Sequence, residues 1–556
     1  MKRYRRLWAG LICCGMLFVW NPGAASPVLE LGPSHRLTLQ EVREVALDHR
    51  QVAISEAGMR NVKRGSEIVM DAALGGVPVY GLNVGVGWNK DHPVFHEVNG
   101  RKVLSDDLLA LSVRFNEMSL RSHAAGVGEP MPVEVVRAGM LIRLNTFLSG
   151  AAGVQPQVAS IYADYLNHDV TPVIPSLGTV GEADITLASH IGLAMIGEWD
   201  VFYQGKRLPA AEVMKQLNIV PLKPVGKDFL SILSTNSLTA GQATLAALDT
   251  QAFLDKQVRL FAFMLEGFNG NVAPFSETAV AARPYAAMAQ AAGRIRDALA
   301  GSDLWRRSAD RALQDPLSFR TMAYTLGVVQ ENLHRLADDL LVQINASDDN
   351  PLVLGQAVMA RDAGRSDQLQ AYRVTGGQGE GAIYPTANFN FLPVASKVEY
   401  LNLSLAKLAE SMVQQLIRLE NPELTRLPRF LAAKANHGHA FGAIQKPFVE
   451  ESIRIKLLAQ PASLYGATLA GNIEDTVSMS GLTVRNTGKI LDALYHIAAF
   501  QLLEGAQALD LREGFEASAS SKALLASYRQ RVPFIAQDTP YSGYIEESAK
   551  FWRAYR

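Results

Sequence analysis

Beyond residue 14 this chain of 556 residues has no cysteine, since its only two are Cys13 and Cys14. A chain without them forms no disulfide and uses no cysteine nucleophile or thiolate metal site. Charge of either sign is also lacking in excess: 53 Lys and Arg stand against 54 Asp and Glu, which excludes an overall basic nucleic-acid footprint. No GxxxxGK[ST] phosphate loop occurs, and the glycines show no strand-then-helix dinucleotide spacing. Repeats of fixed period and low-complexity tracts are absent too. The N-terminal apolar run, Leu7 to Trp20, is shorter than the roughly 20 residues of a spanning helix. Lys2, Arg3, Arg5 and Arg6 precede it and "NPGAAS" follows, so residues 1–25 read as a secretory signal peptide cut after Ala25. Losing four basic residues takes the formal charge from -1 to about -5. The expected location is periplasmic or secreted, and the expected partner is a small molecule.

What is present is apolar and helical: 48% of residues are hydrophobic and 19% charged, ordinary for a globular protein. Met322, Leu326, Val329, Leu333, Leu336 and Leu340 step by four and three, as one helix face requires. Val398, Leu401, Leu405, Leu408, Met412, Leu416 and Leu419 repeat the pattern, and a third such stretch runs from about Gly241 to Phe268. The fold class is therefore mainly α, a long-helix bundle core with a mixed, loop-rich N-terminal domain. Boundaries are placed at 26–230 for that domain, 231–480 for the central bundle and 481–556 for a C-terminal helical segment. The stretch from Gly355 to Pro385 reads as one long loop, of a length that is often functional.

Individually, the polar candidates have ordinary explanations. Tyr80 borders the glycines of "YGLNVGVG", where a backbone can approach a ligand closely, but a tyrosine there commonly packs or hydrogen-bonds. "HGH" at His437 to His439 suggests metal, yet two histidines two apart on a helix point to different faces and no third ligand is evident. No metal is expected. His123 alone suits a structural histidine, and Arg320 of "QDPLSFR" a salt-bridging one.

In order, however, "YGLNVGVG", "SHAAGVGEP", "RLNTFLSGAAGV", "PSLGTVGEADITLASH", "QDPLSFR", "DDNPLV", "ANFNF" and "NIEDTVSM" resemble the aromatic amino acid lyases, the histidine and phenylalanine ammonia-lyases, from about Leu39 to Leu503. The resemblance implies a helical homotetramer whose sites are completed by loops from more than one subunit. It implies removal of a β-proton and the α-amine from an aromatic or imidazole amino acid. It also places Tyr80 on the catalytic tyrosine, Arg320 on the carboxylate-binding arginine, and His123 and Glu474 near the substrate ring and amine. Asn83 and Asn388 fall on pocket positions.

Three departures surround one site. Family members carry Ala-Ser-Gly after this glycine and cyclise it to methylidene-imidazolone, whereas Gly181 is followed here by Glu182, Ala183 and Asp184. In "SILSTNS" the family's supporting asparagine is replaced by Ser234 or shifted to Asn236, and Leu317 replaces a usual tyrosine. Ammonia leaves poorly, so without the electrophile a good leaving group is needed, such as the quaternary nitrogen of a trimethyl betaine. This makes the chain similar to the ergothionases, and no cofactor is expected. Tyr80 and Glu474 are the expected catalytic residues. Trp88, Tyr384, Glu182 or Asp184 would face the trimethylammonium. A conventional ammonia-lyase and an inactive exported binding protein are the alternatives.

Overall fold

The computed structural model describes residues 27–75, 79, 106–355, 366–375 and 380–555. Its centre is five helices: Ser237–Phe268, Met322–Gln343, Leu392–Leu419, Gln445–Leu458 and Ser480–Leu511. Every apolar position of the two stripes that start at Met322 and Val398 is buried, so the sequence period becomes the bundle seam. Phe253 meets Tyr495, Gln257 bonds Gln501 and Phe263 packs on Gly505, which makes Ser237–Phe268 and Ser480–Leu511 parallel. Gln251 bonds Gln330 while Phe268 stacks on Phe319, so Met322–Gln343 returns antiparallel.

The N-terminal part packs onto this bundle through Val133–Phe147, which crosses Ser237–Phe268. A Cβ on Gly241 would lie 2.7 Å from the Gly139 backbone nitrogen, so only glycine lets the helices approach. Short strands complete the mixed part, including a parallel pair, Leu29–Leu31 with Val52–Ile54, and an antiparallel pair, Val127–Pro130 with Pro175–Leu177. The main hydrophobic core draws residues from Leu29 to Trp552, and a smaller separate cluster gathers Ile68, Val69, Ala72, Val79, Val353, Val374 and Ile383. The main core crosses residue 230, and the segment from 481 opens on a helix that belongs to the bundle itself.

Two local expectations are corrected. The stretch from Gly355 to Pro385 is not simply a loop: its described residues hold strands Arg373–Val374 and Gly381–Tyr384, and the latter pairs antiparallel with both Arg373–Val374 and Leu352–Gly355. His437 and His439 lie on no helix, because Asp538 clamps the segment by accepting from Asn436 Nδ2 at 2.7 Å, His439 N at 2.6 Å and Ala440 N at 2.9 Å. Among the described residues no cluster of three or more His, Cys, Asp or Glu could hold a metal, and no helix is long and apolar enough to cross a membrane.

Candidate active site

Residues 178–184 join the strand Pro175–Leu177 to the helix Ile185–Met195 by a turn with unusual backbone. Gly181 has φ +92° and Ala183 φ +77°, and for alanine that region costs on the order of 1–3 kcal/mol unless its surroundings enforce it. The surroundings do. Ala183 N donates to Asn236 Oδ1 at 3.2 Å, and Thr179 Oγ1 donates to Ala183 O at 3.2 Å. Ser478 Oγ donates to Gly181 O at 2.9 Å, and Met479 N to Val180 O at 2.8 Å. Glu182 bridges Asn390, while Asn236 Nδ2 donates to Phe389 O at 2.5 Å. Three distant segments thus fix one turn.

Three bundle helices begin beside it, at Ser237, Leu392 and Ser480. Their unsatisfied N–H groups and dipoles make the surroundings positive. Into this field the turn brings carboxylates. Burial, with the Glu474 charge adding to it and a backbone bond from Ser478 opposing, pushes the half-buried Glu182 carboxyl up to about 7. Asp184 is fully buried and accepts from Thr239 N at 2.9 Å and Thr239 Oγ1 at 2.6 Å. Both its oxygens are therefore engaged, and Asp184 anchors a helix start instead of facing a ligand. Burial raises it to about 6 against those bonds.

Behind the turn lies a buried ionic network that gives two of the quoted motifs their role. Arg143 of "RLNTFLSG" contacts Asp348 at 3.2 Å and Asp349 at 2.8 Å, both of "DDNPLV". Lys227 is 3.9 Å from Asp349, and burial lowers its amine to about 8 although Asp349 opposes the shift. Asp348 Oδ2 accepts from Asn236 N at 2.8 Å and Thr235 Oγ1 at 3.0 Å. Asn236, not Ser234, is thereby the asparagine that serves the turn. Ser234 is buried at the end of Asp228–Leu233.

Around this point the structure gathers several expected residues. Glu474 is the charged neighbour of Glu182. Exposed Asn388 precedes Phe389, whose carbonyl Asn236 holds. His123 ends the helix Asp106–His123, its Nδ1 donates to Ser119 O at 2.7 Å, and its ring lies 6.2 Å from Phe229. Three residues on, Gly126 packs against Gly178 of the turn. Tyr384 ends its strand with its ring edge-on to Tyr372 at 5.6 Å. Tyr80, Asn83 and Trp88 lie outside the described residues.

Arg320 is not brought there. It ends the four-residue helix Leu317–Arg320, whose Phe319 stacks on Phe268 with centroids 4.1 Å apart. Phe268 is the last residue of the 32-residue helix that Asn236 caps, which puts Arg320 about 48 Å from the turn. Arg320 Nη1 donates to Gln314, and its buried Nε has no protein acceptor. Leu317, where the family has tyrosine, is 63% exposed. Sequence reading missed Arg143, Lys227, Thr179 and Ser478; the one signal for Arg143 and Lys227 is a cation inside an otherwise apolar run.

Parallel long helices that deliver their starts to a strained turn of this kind define a helical lyase scaffold. Residues 37–530 match the model of the aromatic amino acid lyases, and the chain belongs to that family. A histidine ammonia-lyase of Geobacillus sp. (strain WCH70) is 30% identical over 520 residues, 93% of this chain and 95% of that protein. The ergothioneine-degrading ergothionase of Treponema denticola, in complex with desmethyl-ergothioneine sulfonic acid, superposes with a TM-score of 0.85 at 33% identity, over 95% of this chain and 99% of that one. Tyrosine aminomutase from Streptomyces globisporus gives 0.82 at 26%, over 94% and 96%. The protein is a carbon–nitrogen lyase.

Proposed function

We propose that the protein eliminates trimethylamine from an imidazole amino-acid betaine of the ergothioneine class, leaving an α,β-unsaturated acid, and does so without a methylidene-imidazolone. The observation that carries this is Glu182, a carboxylate beside Glu474 on the turn where the family forms its electrophile. The residues there do not suit that group, because its methylidene carbon comes from a serine Cβ and positions 182–184 hold Glu, Ala and Asp.

A quaternary nitrogen replaces the missing activation with its own charge. Among helix starts a cation is disfavoured, and Glu182 with Glu474 offsets that field when both are ionised. Tyr80 takes the β-proton as general base, the Cβ–H pair forms the Cα–Cβ double bond, and the C–N pair leaves with nitrogen as neutral trimethylamine. Arg320 holds the carboxylate through its guanidinium. His123 faces the ring. Because Arg320 and Glu182 are so far apart in one chain, a working site takes Arg320 from another copy in a homotetramer. Residues 1–25 direct export to the periplasm or medium.

Incubating purified protein with ergothioneine tests the reading: trimethylamine and thiolurocanate absorbance are expected. No product, with histidine or tyrosine deaminated instead, overturns it. That outcome would favour a conventional histidine ammonia-lyase, a reading supported by the 30% identical relative. Intact mass discriminates as well, since a self-made electrophile removes two waters from the polypeptide near Gly181.

A further inference from the structure

Glutamine is uncommon in cores, because an amide buried without partners costs more than it returns. Three glutamines here are fully buried on three different bundle helices: Gln257, Gln501 and Gln415. They form one directed chain. Gln257 Nε2 donates to Gln501 Oε1 at 2.9 Å, Gln501 Nε2 to Gln415 Oε1 at 2.8 Å, and Gln415 Nε2 to the Ser318 carbonyl at 2.7 Å.

The chain ends on the helix that carries Arg320. Leu317–Arg320 has four residues, too few to hold its own direction by internal hydrogen bonds. Its orientation is set from outside, by Phe319 stacked on Phe268 and by Gln415 gripping Ser318 O. Phe319 fixes how deep the turn sits. Gln415 fixes its rotation, because a hydrogen bond is directional where an aromatic stack slides. Rotation decides where the guanidinium two residues later points.

We infer that Gln415, backed by Gln501 and Gln257, is a positioning residue for Arg320 and tunes how the lyase grips its substrate's carboxylate. This rests on the reading of Arg320 as the carboxylate clamp. Gln415 touches no substrate and acts through Arg320 alone.

Full-length mature Gln415→Met, Arg320→Met and the double variant test this, with KM and kcat for ergothioneine, or for histidine if that is what the wild type turns over, both of which carry the carboxylate. Gln415→Met is expected to raise KM about tenfold with kcat changed less. Binding of the matching amine that lacks the carboxylate is expected to stay unchanged, as general loosening of the core would not predict. The double variant is expected to be no worse than Arg320→Met, since the two act on one contact. Multiplying effects, or an unchanged KM in Gln415→Met, overturn the inference and leave Arg320's role standing. An unchanged KM in Arg320→Met overturns that role and the inference together. Should Gln415→Met fail to fold, Gln257→Met keeps the Ser318 bond, and a KM rise smaller than tenfold is expected; none would overturn the ladder.

Discussion

Asn236 and Arg320 stand at opposite ends of one helix: Asn236 caps Ser237–Phe268, and Arg320 follows the Phe319 ring that stacks on its last residue. If both face one substrate, as proposed, they come from different copies of the chain. Mixing Arg320→Met with Glu182→Gln, each impaired alone, and letting subunits exchange should raise activity above that of either variant, because some hybrid sites then hold both intact residues. Activity that does not rise after confirmed exchange refutes shared sites.

Facing the departing cation as proposed, Glu182 would give the reaction a pH dependence. Its carboxyl titrates near 7, and only the ionised form offsets a cation. The value of kcat/KM for a betaine should climb as pH rises through about 7 and flatten above it. Glu182→Gln should lose that rise and turn over at least tenfold more slowly at pH 8. A wild-type profile flat from pH 6 to 8 contradicts it.

Backbone space at the turn yields a matched pair of substitutions. A Cβ on Gly181 would fall 2.1 Å from Ser478 Oγ and 2.9 Å from Ser480 N, at φ +92°. Gly205 has φ +71° and nothing within 4 Å of a Cβ. Gly205→Ala should cost about 1 kcal/mol and keep full activity. Gly181→Ala should abolish turnover and lower the melting temperature further, as assay and calorimetry of the two variants will show.

Stability responds to pH through a second acid pair. Glu420 and Glu504 are buried together; burial and then the Glu420 charge raise Glu504 well above its ordinary 4.5, and burial pushes Glu420 up to about 7. Folding holds these protons, so the stability they confer is full below pH 4.5 and declines as pH rises from there through about 7. Glu504→Gln removes the ionisable partner. Its melting temperature relative to wild type should increase between pH 5 and pH 8; a constant difference would contradict the linkage.

The bundle was legible in the sequence because burial on one helix face leaves a 3.6-residue period, and each residue of the Met322 and Val398 stripes proved buried. His437 and His439 were misplaced because the clamp on their loop comes from Asp538, 99 residues beyond His439. Asn236 could not be separated from Ser234 by reading alone, since what distinguishes them is the Ala183 amide 53 positions away. Arg143 and its two aspartates were visible only as motif letters; their pairing spans 205 and 206 residues, and no local pattern encodes it. The wide separation of Arg320 from Glu182 follows from the 32-residue helix between them, a length that no single motif carries.

The bond from Ser478 to Gly181 joins positions 297 apart. A growing polypeptide can thus hold no reactive pocket until the ribosome has passed residue 480, when six-sevenths of the chain is already made. The catalyst comes into being late and all at once, and any product of premature termination upstream of that serine is born without activity.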